Sequence, residues 1–96
     1  MADRYIVVLT NLRTTPENLA AYLYGHTVEV ERVADDRHAA YLLRTTADNP
    51  DRAEFLVNYQ ADRLSSALMG AAIIAPYTSD EDASARMGKL LDQLRA

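Results

Sequence analysis

Two histidines, six tyrosines and two acidic runs carry most of the side chains of this 96-residue chain that could do chemistry. His26 and His38 are the only side chains that ordinarily titrate near neutral pH, and they flank a segment with the alternation of a β-hairpin. Pairing across that hairpin puts His26 at its open end and His38 near its turn, too far apart to share a metal ion. Neither has a carboxylate at helical ligand spacing. The chain has no cysteine, which removes disulfides, thiolate metal sites and a cysteine nucleophile. Its three glycines are isolated, so no glycine-rich loop can wrap a phosphate. Asp35-Asp36 has turn chemistry, and Asp80-Glu81-Asp82 suits the positive end of a helix dipole. No loop spaces carboxylates for calcium. The expectation is a protein without a catalytic centre, metal or cofactor.

The aromatic residues divide in two. Tyr22 and Tyr41 fall at core positions that leave their hydroxyls at an edge. Phe55 and Tyr59 lie one turn apart on the longest helical segment, off its main apolar stripe. They read as rim packing or as a contact patch.

The elements that position these residues follow from periodicity. Arg4 to Leu12 is a strand apolar on both parities, hence central and covered on both sides. Thr14 and Glu17 form a capping box, with Pro16 in the first turn of a short helix ending near Gly25. Thr27 to Val33 and His38 to Thr45 form a hairpin about Asp35-Asp36. That register sets Val30 opposite Tyr41, Val28 opposite Leu43 and Glu29 opposite Leu42, with Arg44 diagonal to Glu29. From Asp48 to Gly70, the residues Ala53, Leu56, Val57, Gln60, Ala61, Leu64, Ala67 and Leu68 mark one face of a long helix, with Asp48 or Asn49 as cap. Ala71 to Ala75 is a short strand stopped by Pro76, and Ser79 caps a last helix with Ala83, Met87, Leu90, Leu91 and Leu94 on its apolar stripe.

The order is βαββαβ followed by a helix. It predicts one α+β domain over residues 1–96, ferredoxin-like, with a four-stranded antiparallel sheet and an extra C-terminal helix. Two helices cover one sheet face. The other face still holds one parity of the first strand and Leu42, with Ile6, Val8 and Leu42 as contact candidates. Either the helix from Asp80 to Arg95 folds over it, leaving a monomer, or a second copy packs sheet to sheet as a homodimer.

Charge and hydropathy narrow the partners. A net charge of −4 and a pI near 5.0 argue against a nucleic-acid backbone partner. The N-terminus MADRYIVVLT reads as a strand rather than a signal peptide, and no apolar run approaches the roughly 18 residues of a membrane span. A cytoplasmic protein without membrane contact is expected.

The order of elements also resembles the RNA-recognition motif, with Val7 to Leu12 where that family has its first-strand motif. Val8 replaces the stacking aromatic there. In the segment Arg37 to Arg44, Tyr41 is the one aromatic and Ala39 replaces the other. The order is similar as well to the dimeric α/β-barrel monooxygenase-like proteins, which implies a small enzyme or ligand-binding protein with Tyr22, His26 and Tyr41 lining a pocket. A third reading takes Asp35, Asp36, Asp80 and Asp82 as the charged surface of an acidic inhibitor, of the mobile-element type, that blocks a nucleic-acid-binding protein. The first reading is a small non-catalytic interaction or regulatory module, binding a protein partner or itself through Ile6, Val8, Leu42, Phe55, Tyr59, Asp35 and Asp36.

Overall fold

A computed structural model of the chain describes residues 1–10, 19, 28–33, 40–68 and 71–95. Its elements are β1 (Ala2–Leu9), β2 (Val28–Val33), β3 (Ala40–Ala47), α1 (Pro50–Ala67), β4 (Ala72–Tyr77) and α2 (Asp80–Arg95). The strands form one antiparallel sheet in the order β2-β3-β1-β4. The expected α+β class with a four-stranded antiparallel sheet therefore holds. The finer ferredoxin-like connectivity requires a helix between β1 and β2. The capping box of Thr14 and Glu17 and the helix end at Gly25 lie outside the described residues. Leu19, the one described residue of that stretch, is helical and fully buried.

Two cores flank the sheet, and β1 feeds both. Ile6 and Val8 point to the α1 side, where they join Tyr41, Leu43, Val57 and Leu64. Tyr5, Val7 and Leu9 point to the other side, where Leu42 meets Ala83, Met87 and Leu91 of α2. Removing each large aliphatic side chain from water contributes about 1.5–3 kcal/mol, so a strand apolar on both parities is stabilised only when both faces are covered. The C-terminal helix supplies the second cover. That removes the bare apolar face on which sheet-to-sheet pairing depended.

Three details of the sheet depart from expectation. Ile6 and Val8 do not share a face with Leu42. Val8 pairs with Tyr41 and Val7 with Leu42, so the parities are opposite to those assigned. An all-apolar strand carries no signal of which parity faces which helix. In the hairpin, Val28 pairs with Thr45, Glu29 with Arg44 and Val30 with Leu43, before a bulge leads to Arg32–Leu42 and Val33–Tyr41. The first three pairs are shifted by two residues from the register centred on Asp35-Asp36. A shift of two keeps every side chain on its face, so hydropathy cannot detect it, while charge can: it brings Glu29 directly opposite Arg44. Pro76, expected to end the last strand, instead lies within β4. An edge strand tolerates proline because its missing N–H can face outward. The β1–β4 ladder shifts between Tyr5 and Val7, and the Ala75–Pro76 peptide is cis.

Helix starts follow local chemistry. Asn49 caps α1, its side-chain oxygen accepting from the Arg52 N–H at 2.8 Å, and Pro50 occupies the first turn. Leu68 N–H donates to the Leu64 carbonyl at 2.8 Å as α1 ends, while the expected stop at Gly70 lies outside the described residues. The Ser79 hydroxyl accepts from Asp82 N–H at 3.2 Å, and Asp80, Glu81 and Asp82 fill the first turn of α2.

Candidate functional site

Tyr22, His26, His38, Asp35 and Asp36 lie outside the described residues. Tyr41 is buried in the α1-side core with Val8 and Leu43, so it packs as a core tyrosine. Ile6, Val8 and Leu42 are fully buried as well. Their reading as an exposed contact surface is corrected, because α1 and α2 already cover them. Among the described residues no group of three or more His, Asp or Glu side chains could hold a metal ion. No helix there is long and apolar enough to cross a membrane.

Among the described residues, a polar group crosses the α2-side face of the sheet. Glu29, Arg44, Tyr5 and Tyr77 follow one another across β2, β3, β1 and β4. Arg44 Nη2 donates to the Glu29 carboxylate at 2.5 Å. Its Nε lies 3.9 Å from the Glu31 carboxylate and, although buried, makes no hydrogen bond. The Glu29 hydrogen bond, then the charges of Glu29 and Glu31, hold Arg44 protonated above its ordinary range. Burial raises the Tyr5 phenol, and the negative charges of Asp3 and Asp80 raise it further. A phenol pushed this way is harder to ionise. An arginine engaged by two carboxylates is poorly placed to bind a third anion. Arg32 binds Asp80 and Ser84, and Ser84 also donates to Asp80 at 2.9 Å, tying the β2 edge to the start of α2. The group ties elements together.

What remains is the outer face of α1. Ala53, Val57, Gln60 and Leu64 are its buried residues. At about 3.6 residues per turn, Phe55 and Tyr59 fall on the opposite side. They are 58% and 48% exposed. Both rings therefore stand outside the two cores. The Arg52 guanidinium lies 5.5 Å from the Phe55 ring centre, and that of Arg63 lies 5.9 Å from Tyr59. Arg63 Nη1 also donates to the Tyr59 hydroxyl at 3.4 Å. An open depression beside them is lined by Tyr59, Asp62, Arg63, Ser66 and Ala67. The two arginines were not singled out from the sequence. Their three- and four-residue spacing from the rings was the available signal.

Fold and surface together define an α+β sheet domain, covered on both faces, with an aromatic–arginine stripe along its long helix. No protein-family model, curated protein or solved structure matches the chain.

Proposed function

We propose that this protein is a small non-catalytic contact module that binds a protein partner through the outer stripe of α1. One observation carries the reading: Phe55 and Tyr59 are large, neighbouring and about half exposed on a helix whose opposite face is fully packed. Aromatic residues and arginine are the types enriched at the energetic centres of protein interfaces. Stacked guanidinium groups restrict the rings, which lowers the entropy lost when a partner covers them. The pocket and acidic-inhibitor readings draw on Tyr22, His26, Asp35 and Asp36, outside the described residues, and Asp80 is already engaged by Arg32.

The test places a photoreactive benzophenone side chain at the exposed position of Asn58, inside cells that make the protein. Discrete adducts are expected, and they disappear in the Phe55→Ala/Tyr59→Ala background. The proposal fails if no adduct forms, or if the same adducts persist without the two rings.

A further inference from the structure

We infer that the partner of the α1 stripe is a second copy of this chain, the two helices packed side by side in parallel about a two-fold axis. The inference rests on the contact role proposed above and supplies the partner. It comes from how charge is sorted around the aromatic rings. With about 3.6 residues per turn, Asp51, Glu54 and Asp62 follow one edge of the stripe, while Arg52 and Arg63 follow the other. Phe55, Tyr59 and Ser66 run between them.

In a two-fold contact the same surface meets itself, so relative helix direction decides which edges touch. Antiparallel helices would set the arginine edge of each copy against the arginine edge of the other, and acid against acid. Parallel helices set each arginine edge against the partner copy's acidic edge. Arg52 then stands near the level of the second copy's Asp51, and Arg63 near that of its Asp62, as flanking charges do in a parallel coiled coil. Phe55 and Tyr59 meet their symmetry mates at the axis. Only the parallel arrangement pairs unlike charges along both edges.

Area sets the strength. Four half-exposed aromatic side chains supply roughly 400 Å². The flanking charged residues carry the contact toward the lower limit of specific interfaces, about 1,000 Å². This is the size of a concentration-dependent dimer, and screening of its exposed charges weakens it in salt.

The experiment is light scattering on a sizing column, over a concentration series at low ionic strength, with four forms of the full chain. The wild-type mass should rise toward a dimer. Arg52→Glu/Arg63→Glu and Asp51→Arg/Asp62→Arg should each dimerise on the order of tenfold or more weakly, because like charges now meet on both edges. Their equimolar mixture should recover the dimer. Ser66→Cys reports direction, since the chain has no other cysteine. Parallel helices bring the two introduced thiols together, and mild oxidation should link the copies. A wild type that stays monomeric overturns the inference, as does a dimer indifferent to the charge variants or a dimer whose Ser66→Cys form does not self-link. If the Asn58 probe captures a different protein while the wild type stays monomeric, the contact role stands and the second copy is eliminated.

Discussion

Thr45 donates its hydroxyl proton to the side-chain oxygen of Gln60 across 2.7 Å, with the two residues only 1% and 2% exposed. The bond joins β3 to α1 inside the apolar layer between them. Deleting one partner leaves the other buried without it, so Thr45→Val and Gln60→Leu should each destabilise by about 1–3 kcal/mol. The double variant should lose less than the sum of the two. Urea denaturation of the four proteins in a double-mutant cycle measures the coupling.

Met87 is buried against the second core, whereas Phe55 faces water. Met87→Ala should cost about 2–5 kcal/mol through lost burial and the cavity left behind. At concentrations low enough to keep the chain monomeric, Phe55→Ala should shift stability by no more than about 0.5 kcal/mol. Chemical denaturation separates them, and a large loss from Phe55→Ala would show that its ring packs structurally.

Tyr5 responds to alkali. Its phenol is raised above 10.0 in the folded protein, first by burial and then by Asp3 and Asp80. The folded state therefore holds this proton more tightly than the unfolded chain. The stabilisation is complete below the unfolded pKa of about 10 and is lost as pH rises through the folded value. Melting temperature should fall from about pH 10 upward, with a shallower fall in Tyr5→Phe. Equal slopes in the two proteins would refute the assignment.

Gly88 lies within α2, and a β-carbon built there meets nothing within 4 Å. Gly88→Ala should stabilise the protein by about 0.5–1 kcal/mol, because alanine restricts the unfolded chain and favours the helix. A thermal melt gives the answer.

How far these features were legible depended on what each sequence pattern could distinguish. The central place of β1 was readable because Ile6 to Leu9 is apolar on both parities. Which parity faced α1 was not, since nothing polar marks a face. The α1 and α2 boundaries were close to expectation because Asn49, Pro50 and Ser79 act locally. The β2–β3 register was missed for the converse reason: a slip of two residues leaves the inward face unchanged, and only the Glu29–Arg44 pairing separates the alternatives. On the candidate surface, Phe55 and Tyr59 were visible by their spacing. The apolar stripe of Val57, Gln60 and Leu64 was legible too, and the structure buries it.

The closing of the second core by α2 has a consequence for protein synthesis. All four strands precede Met87 and Leu91 in the chain, so translation delivers Val7, Leu9 and Leu42 before the residues that will cover them. A chain folded without α2 would hold a sheet dry on its α1 side and naked on the other. Such an exposed apolar face is what chaperones capture and what drives nascent chains to aggregate. Docking of the sixteen-residue α2 is thus the step that takes this face out of reach of aggregation.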